Sequence, residues 1–411
     1  MHHTSVARNR LAARLATAVQ AWPDPLSTPT FVVDLDAFDA SAADLVRRAG
    51  GTPIRVASKS LRVPALITRA LAIDGFAGVL AYTLAEALWL AEQDISDDVV
   101  VAYPSVDRRA LASLVASPRA ASRITIMIDD VAHLDAVDAL RASTAVPIRV
   151  AIDIDAGLRW GGQLVGPKRS PLYDVGSVSE LARTVIERPG FQFVGVMTYE
   201  GQVAGVPDAV PTQRAKSAIV RKLKQLSVAQ LEVRRTAITE GLSALEGHRG
   251  HTGPIFWNAG GSGSLESSAA DPVVTEVTAG SGLLGPTLFD HYQSFQPAPA
   301  AFFGLPVTRK PTHEIATVHG GGLIASGPTG ADRAPTPWAP AGLSLTGLEG
   351  AGEVQTPLVG TNAPALAIGD LVWFRHAKSG EPFEHGNTVL LADGERFVDE
   401  VPTYRGHGLA F

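Results

Sequence analysis

Two hydrophobic patterns alternate along the first 280 residues. Short runs rich in β-branched and aromatic residues have the composition of buried strands, and the segments between them have the three-to-four-residue period of amphipathic helices. This alternation is typical of an α/β fold with a parallel sheet. After a first run at 31–38, eight strands are predicted, in IRVASKS, GFAGVLAY, DVVVAYP, RITIMID, IRVAIDID, FQFVGVMTY, IFWNAGG and TEVTAG. Eight parallel strands with intervening helices favour a closed (β/α)8 TIM barrel over an open doubly wound sheet.

The pattern changes near residue 298. From there to residue 411, Pro, Gly and Thr become frequent, helical periodicity fades, and strand-like pieces such as DLVWFRHA and NTVLLADG follow one another. This texture predicts a smaller, mainly β C-terminal domain. We therefore expect an N-terminal helical extension at 1–28, a barrel at 29–297 and a β domain at 298–411. The run at 31–38 could pair with the β domain.

Composition and charge exclude several classes of protein. The chain of 411 residues has a formal net charge of −6, so no global field attracts nucleic acid or anionic lipid. It contains no cysteine, which excludes disulfides and thiolate metal sites and fits a reducing cytoplasm, where we expect the protein to be located. No uninterrupted apolar run approaches the roughly 18 residues of a membrane-spanning helix. We therefore expect neither nucleic acid nor a membrane as a partner.

Polar side chains end most of the predicted barrel strands. A (β/α)8 barrel assembles its active site from the C-terminal ends of its strands, so these residues are expected to surround one site. They are Lys59, Tyr82, Tyr103, Asp155, Tyr199, Glu200, Asn258 and Ser281.

Lys59 ends the first barrel strand. A lysine in an apolar setting costs several kcal/mol while it stays charged. If its side chain faces the barrel mouth, desolvation lowers its pKa and yields an amine able to condense with an aldehyde. The alternative is a solvated lysine at a strand end, which is the commoner fate of this residue type.

A glycine-rich segment, WNAGGSGSLESS, follows the seventh barrel strand. Gly260, Gly261 and Gly263 permit close backbone approach, and successive backbone N–H groups there can bind an anion. Ser262 adds a hydroxyl donor. Phosphate sites in these barrels follow the seventh and eighth strands, and Ser281 in TAGSG comes after the eighth. The segment is therefore either a phosphate cradle or a flexible turn.

Two further groups of polar residues have both a functional and a structural interpretation. In DIDAGLRWGG, Arg159 either projects to the barrel mouth, where it can bind an anionic ligand, or holds its own loop through Asp153 or Asp155. In VWFRHAKSGEPFEH, His376 and Lys378 point the same way if the segment is a strand. A cationic amine beside the histidine would disfavour its protonated form and suit it to act as a base. A surface cluster of mixed charges explains the second pattern equally well.

The lysine, the glycine-rich segment and the arginine turn, in this order on a barrel, resemble the fold-type III pyridoxal-phosphate enzymes. Among these alanine-racemase-like barrels, the chain is most similar to the D-threonine aldolase and D-serine dehydratase branch, from TPTFVVDLDAF to VPTYRGHG. The resemblance implies that Lys59 carries pyridoxal 5'-phosphate as a Schiff base and that residues 260–264 hold its phosphate. It further implies that Arg159 lies near the phenolic oxygen of the cofactor.

The same resemblance has implications for the rest of the site and for assembly. Ser281 lies in TEVTAGSG, which matches the last strand of the family. Tyr199 lies in TYEGQ, where a histidine-glycine pair is common, and is expected beside the cofactor. Homodimers with sites completed by the partner are usual in the branch and are expected here.

The resemblance implies lyase chemistry on a D-3-hydroxy amino acid. Either the Cα–Cβ bond is cleaved, as in an aldolase, or the β-hydroxyl leaves, as in a dehydratase, with His376 near the β-substituent. An amino-acid racemase is the alternative, with Tyr199 or a tyrosine of a partner copy such as Tyr292 as its second base. A non-catalytic protein that binds pyridoxal phosphate is a third possibility.

One position departs from the branch. Its members bind a divalent metal through a histidine and, two residues on, an aspartate or cysteine, whereas this chain has His376-Ala377-Lys378. A lysine ammonium is not a metal ligand, and deprotonating it to become one is costly. The metal is therefore in doubt, and a pairing of His376 with Lys378 replaces it in this hypothesis.

Overall fold

The computed structural model describes residues 4–141, 146–245 and 255–411. Within these ranges the chain forms a closed barrel and a nine-stranded sheet beside it. No helix in the described ranges is both long and apolar enough to cross a bilayer. The strands are β1 Thr30–Asp34, β2 Ile54–Ala57, β3 Phe76–Ala81, β4 Val99–Val101, β5 Ile124–Ile128, β6 Ile148–Ile154, β7 Leu158–Trp160, β8 Gln163–Val165, β9 Phe191–Thr198, β10 Phe256–Ala259, β11 Glu276–Ala279, β12 Ala301–Thr312, β13 Ile315–His319, β14 Thr336–Ala339, β15 Ser344–Leu345, β16 Gln355–Val359, β17 Leu371–Arg375, β18 Thr388–Asp393 and β19 Arg396–Pro402. The helices are α1 Ser5–Ala21, α2 Leu35–Ala49, α3 Pro64–Leu71, α4 Leu84–Glu92, α5 Arg108–Ala116, α6 Pro118–Arg123, α7 Val131–Asp138, α8 Val175–Glu187, α9 Gly201–Ala204, α10 Arg214–Ser243, α11 Leu265–Ala269 and α12 Ser281–Leu284.

The barrel consists of eight parallel strands in the order β2-β3-β4-β5-β6-β9-β10-β11, with β11 paired back to β2. Strands β4 and β5 are buried at every position, as expected where helices cover one face and the barrel interior the other. The predicted (β/α)8 barrel is confirmed. Closure brings the C-terminal ends of all eight strands to one mouth.

A polar network lies inside the barrel. Arg55 of β2 is 3% exposed and makes a bidentate pair with Glu276 of β11, with N–O distances of 2.8 and 2.7 Å. Its Nη2 also lies 2.8 Å from Oδ2 of Asp98. Burial alone would lower the pKa of Arg55, but the two carboxylates raise it. Asn258 of β10 donates to the same Glu276 at 2.8 Å, so one carboxylate links three neighbouring barrel strands.

Both ends of the chain contribute to the nine-stranded sheet. β1 pairs antiparallel with β12 and parallel with β18, so the first strand of the chain lies among C-terminal strands. Helix α1 packs on this sheet, with Leu15 and Ala18 buried in a cluster that includes Val32 and Phe302. The β domain predicted from the texture after residue 298 is present, and its core strand β1 comes from the N-terminal region.

The C-terminal segment attaches the β domain to the barrel. The hydroxyl of Tyr404 donates to Oε1 of the buried Glu86 in α4 at 2.5 Å. The ring of Trp89 lies edge-on to that of Tyr404, with centroids 5.7 Å apart. Burial raises the pKa of Glu86 to about 7. Glu86 also accepts from the backbone N–H of Tyr82 at 2.8 Å, and the hydroxyl of Ser58, in the turn that carries Lys59, acts on the same carboxyl group.

Candidate active site

A cavity of about 300 Å³ opens at the C-terminal ends of the barrel strands, a size typical of small-molecule sites. Residues from seven barrel-strand ends and from the segment after β17 line it together, although they are distant in sequence. They are Lys59, Tyr82, Tyr103, Asp155, Tyr199, Asn258, Ser281, Lys378 and Ser379. The barrel topology therefore concentrates the polar strand-end residues at one place.

Lys59 enters the cavity from a short turn. β2 ends at Ala57, and a 3-10 turn at Ser58–Ser60 directs the lysine away from the strand. The Nζ of Lys59 donates to the hydroxyl of Tyr103 at 3.1 Å. Neighbouring side chains hold the turn on both sides, since Ser58 donates to the carbonyl of Leu80 and the Ser60 and Ser281 hydroxyls lie 2.9 Å apart.

Arg169 lies between two tyrosines of the cavity. Its guanidinium carbon is 5.6 Å from the ring centroids of both Tyr103 and Tyr199. Burial alone would raise the pKa of Tyr103, but the positive charges of Lys59 and Arg169 lower it below its ordinary value. Burial raises the pKa of Tyr199 to about 12, so its hydroxyl stays protonated. Sequence reasoning missed Arg169, whose loop PKRSP carries no motif beyond a basic pair between two prolines.

The structure places Arg159 outside the cavity, which corrects the expectation that it faces the cofactor. The residue lies in β7, which pairs with β8 in a separate two-stranded hairpin, and this hairpin keeps it at the exposed surface. The Arg159 guanidinium carbon lies 3.6 Å from the ring centroid of Tyr173. Its backbone N–H donates to Gln230 at 2.9 Å. Arg169, ten residues later, brings a guanidinium to this side of the cavity instead.

The glycine-rich segment forms another part of the cavity wall. Gly260, Gly261 and Ser262 line the cavity, and Gly263 lies behind them against α9. A Cβ on Gly263 would lie 2.2 Å from the backbone oxygen of Ala204, so only a glycine permits this approach. The hydroxyl of Ser262 accepts the N–H of Gly282 at 3.0 Å, which joins this loop to the segment after β11.

A buried ion pair supports the loop from behind. Glu200 is 1% exposed and accepts from the hydroxyls of Ser264, at 2.7 Å, and Ser268. Its other oxygen lies 3.2 Å from Nη2 of Arg235 in α10. Nη1 of Arg235 lies 3.2 Å from Asp271 as well, so one guanidinium is shared by two buried carboxylates behind the loop.

The cavity fits pyridoxal 5'-phosphate. The Lys59 amine, the group that binds an aldehyde, and the backbone of the 260–262 loop, which can bind a phosphate, line the same enclosed space. The packing of Gly263 against the backbone of Ala204 and the hydrogen bond from Gly282 to the Ser262 hydroxyl hold this loop in position.

His376 lies behind the cavity wall. It is 3% exposed, and its ring nitrogens lie 3.2 Å from the carbonyl oxygen of Ala301 and 3.1 Å from the hydroxyl of Ser379. Burial lowers the pKa of His376 to about 3, so the ring is neutral. Its contact with the cavity runs through Ser379, which lines the wall.

Lys378 lines the cavity and has partners of its own. Its Nζ donates to Glu381 at 3.0 Å and to the hydroxyl of Ser326. The expected pairing of Lys378 with His376 is therefore corrected. β17 ends at Arg375, so His376 and Lys378 lie beyond the strand and its alternation of faces does not apply to them.

These donors do not fit a divalent metal. The histidine shares its ring nitrogens with Ala301 and Ser379, and the residue two positions on is an ammonium already paired with a carboxylate. Across the described ranges, no three His, Cys, Asp or Glu side chains are grouped as metal ligands.

Comparison with known proteins places this arrangement in a family. Residues 33–251 match the family described as the alanine racemase N-terminal domain. The chain belongs to this family. Membership confirms the resemblance to the alanine-racemase-like barrels that the lysine and the glycine-rich segment indicated.

Individual relatives of this family member are also informative. A D-threonine aldolase from an Arthrobacter species is 26% identical over 263 residues, which cover 63% of this chain and 62% of that protein, slightly less than two thirds of its length. The structure of D-threonine aldolase from Filomicrobium marinum superposes with a TM-score of 0.75 at 18% identity, covering 93% and 98% of the two chains. D-threo-3-hydroxyaspartate dehydratase from Delftia sp. HT23 has a TM-score of 0.70 at 20% identity, covering 92% and 97%. The shared fold therefore extends through the β domain.

Proposed function

We propose that the protein is a pyridoxal-phosphate-dependent lyase that acts on a D-3-hydroxy amino acid. One observation carries this proposal: the amine of Lys59 and the backbone of the 260–262 loop line one cavity at the barrel mouth. Membership of the alanine racemase N-terminal-domain family and the similarity to a D-threonine aldolase support it.

Lys59 and the 260–263 loop would hold the cofactor, the lysine through the aldehyde and the loop through the phosphate. Pyridoxal phosphate, when bound, withdraws electrons from the Cα of an amino acid and so weakens the bonds to that atom. Tyr103 orients the Lys59 amine through the 3.1 Å hydrogen bond, and its lowered pKa suits it to exchange a proton with Nζ. Arg169 stabilises the negative charge that develops on Tyr103 during such an exchange.

Ser379 would bind the β-hydroxyl of the substrate, with His376 behind it. A carbonyl oxygen can only accept, so Nδ1 of His376 carries the ring proton and donates to Ala301. In the neutral ring, Nε2 then accepts from the Ser379 hydroxyl at 3.1 Å, a shorter contact than the 3.3 Å between that hydroxyl and the carbonyl oxygen of Ser281. The oxygen of Ser379 can then accept a hydrogen bond from a substrate hydroxyl, while His376, kept neutral by burial, fixes the direction in which Ser379 donates. His376 is in this account a positioning residue that acts through Ser379.

The candidate second bases of a racemase are poorly suited to that role. The Tyr292 hydroxyl donates to the carbonyl of Ala204 at 2.8 Å, and burial raises its pKa. The pKa of Tyr199 is also raised by burial, to about 12. Both phenols therefore hold their protons near neutral pH, so neither tyrosine of this chain is ready to act as the base of a racemase.

A product assay separates the candidate functions. The protein with added pyridoxal phosphate is incubated with the D and L forms of threonine and serine, and Lys59→Ala serves as the inactive control. Glycine with an aldehyde, formed from a D substrate, supports the aldolase, and keto acid with ammonia supports the dehydratase. Appearance of the opposite enantiomer would identify a racemase. Binding of the cofactor with no product from any 3-hydroxy amino acid would refute the lyase proposal.

A further inference from the structure

We propose that Arg62 is a positioning residue that holds Lys59 in the cavity, and that it does so by joining the main chain of Lys59 to the β domain. The inference rests on the proposed function for the use of the Lys59 amine. The positioning itself can be measured in the apoprotein, without any reaction.

Arg62 has an unfavourable backbone conformation. The turn that carries Lys59 continues into Arg62, whose N–H donates to the carbonyl of Ser58 at 2.9 Å. The φ of Arg62 is 53°, in the left-handed region, which is unfavourable for a residue with a Cβ. Such a conformation persists only where surrounding contacts fix it. The shape of the turn therefore depends on the contacts that Arg62 makes.

The side chain of Arg62 joins the turn to the β domain. Its Nε donates to the carbonyl oxygen of Lys59 at 3.1 Å, and its Nη1 lies 2.7 Å from Oε1 of Glu384. The second oxygen of Glu384 lies 2.7 Å from Nη2 of Arg405, so this carboxylate is held on both sides. The side chains of Arg62 and Glu384 are 15% and 20% exposed, so solvent screens this ion pair less than one at the open surface.

The main chain makes the same connection. The carbonyl of Arg62 accepts the N–H of Tyr404 at 3.0 Å. Gly380 packs directly on the carbonyl of Lys59, since a Cβ on Gly380 would lie 2.0 Å from that oxygen. The carbonyl of Lys59 is thus in contact with Arg62 and with the backbone of the β domain, and the turn cannot shift without breaking these contacts.

The position of the turn decides where the Lys59 amine lies. Its Nζ reaches the hydroxyl of Tyr103 at 3.1 Å, near the upper limit for a good hydrogen bond, so a small shift of the turn separates the two groups. The positive charges of Lys59 and Arg169 lower the pKa of Tyr103 against the effect of burial, and Tyr199 is the other titratable group beside it. Because Arg169 belongs to a different loop, loss of the Lys59 contact alone should raise the pKa of Tyr103.

A purely structural role of Arg62 predicts a different result. If Arg62 only attached the β domain to the barrel, its replacement would lower the free energy of unfolding and leave the Lys59 amine beside Tyr103. The pKa of Tyr103 therefore distinguishes the two roles.

The test titrates Tyr103 in the apoprotein by tyrosinate absorbance, with its signal identified by its loss in Tyr103→Phe. Arg62→Gly removes the side chain and permits the left-handed backbone, and Arg62→Gln keeps part of the side chain without its charge. We expect both variants to raise the pKa of Tyr103 and to lower the affinity for pyridoxal phosphate about 10- to 100-fold, the value of one charged hydrogen bond. Arg62→Lys retains a charged donor and should restore most of both values.

Asp94→Gly is the matched control. Asp94 also has a left-handed backbone, with a φ of 55°, and it pairs with Arg119 and Arg123. It precedes β4 and so lies at the N-terminal ends of the barrel strands, opposite the cavity. The pKa of Tyr103 and the cofactor affinity should both stay at their wild-type values in this variant.

The outcomes separate this inference from the proposed function. A wild-type pKa of Tyr103 in whichever of Arg62→Gly and Arg62→Gln is folded would overturn the positioning role, as would a rise of equal size in Arg62→Lys or Asp94→Gly. Failure of both Arg62→Gly and Arg62→Gln to fold would overturn it too, since Arg62 would then serve the fold as a whole. A selective rise of the pKa without turnover of any 3-hydroxy amino acid would keep the positioning role and refute the lyase.

Discussion

Replacing Gly263 with alanine tests whether the 260–263 loop binds the phosphate. The added Cβ would lie 2.2 Å from the backbone oxygen of Ala204 and 2.8 Å from a ring carbon of Tyr292. Neither group can yield easily, because one is backbone and the hydroxyl of the other is hydrogen-bonded to that same oxygen. The loop must therefore move toward the cavity.

The cost of this movement follows from the size of the overlap. Overpacking by one methyl group in a well-packed region costs about 1–3 kcal/mol. If the strain is relieved by displacing the loop, the affinity for pyridoxal phosphate falls by about 5- to 150-fold. We expect this loss in a titration of the apoprotein followed by cofactor absorbance, with thermal unfolding recorded to show that the variant is folded.

Gly261→Ala is the matched control. Its Cβ would lie 3.2 Å from Cβ of Ala204 and 3.4 Å from a ring carbon of Tyr199, so the neighbours must shift by only a few tenths of an ångström, far less than at Gly263. Its affinity should stay within about threefold of the wild-type value, less than about 0.7 kcal/mol. A folded Gly263→Ala variant with wild-type affinity would refute the assignment of this loop to the phosphate.

Two further predictions concern titrating groups. In a pH titration of the apoprotein followed by tyrosinate absorbance, we expect Tyr103 to ionise below the ordinary pKa of 10 and Tyr199 to ionise near pH 12. Tyr103→Phe should remove the first of these absorbance changes and Tyr199→Phe the second. If the change below pH 10 persists in Tyr103→Phe, the contact of Tyr103 with Lys59 is contradicted. Burial raises the pKa of Glu86 from 4.5 to about 7. As pH rises, Glu86 therefore loses its proton in the unfolded chain before it does so in the native protein, and the contribution of Glu86 to native stability falls between pH 4.5 and 7. The glutamine side chain of the Glu86→Gln variant cannot ionise. Between pH 4.5 and 7 the free energy of unfolding, measured in urea, should therefore fall by about 3 kcal/mol less in Glu86→Gln than in the wild type. If the free energies of the two proteins change in parallel with pH, the raised pKa of Glu86 is contradicted.

Much of the fold follows from local patterns in the sequence. Strands such as β5, buried along their whole length, need continuous apolar runs, and eight such runs between helical segments predicted a closed barrel. Lys59 and the glycine-rich loop were found because the barrel collects its strand ends at one mouth. These predictions depend on element order and period, which a single sequence displays.

The parts that sequence reasoning missed depend on contacts between distant segments. Arg159 is carried outward by the β7–β8 hairpin, and Arg169 returns to the cavity in the loop that follows. Arg333 reaches the cavity from the β domain. His376 is buried because β12 pairs alongside β17 and places Ala301 against its ring. None of these placements has a local periodic signal.

The central claim is that Lys59 is the residue that binds the cofactor. The protein is incubated with pyridoxal phosphate, reduced with borohydride to make the link permanent, and digested, and the labelled peptide is sequenced by mass spectrometry. We predict one label per chain, on Lys59, and its loss in Lys59→Ala, while Lys378→Gln keeps it. A label on Lys378 or another lysine, or undiminished labelling of Lys59→Ala, would contradict the account.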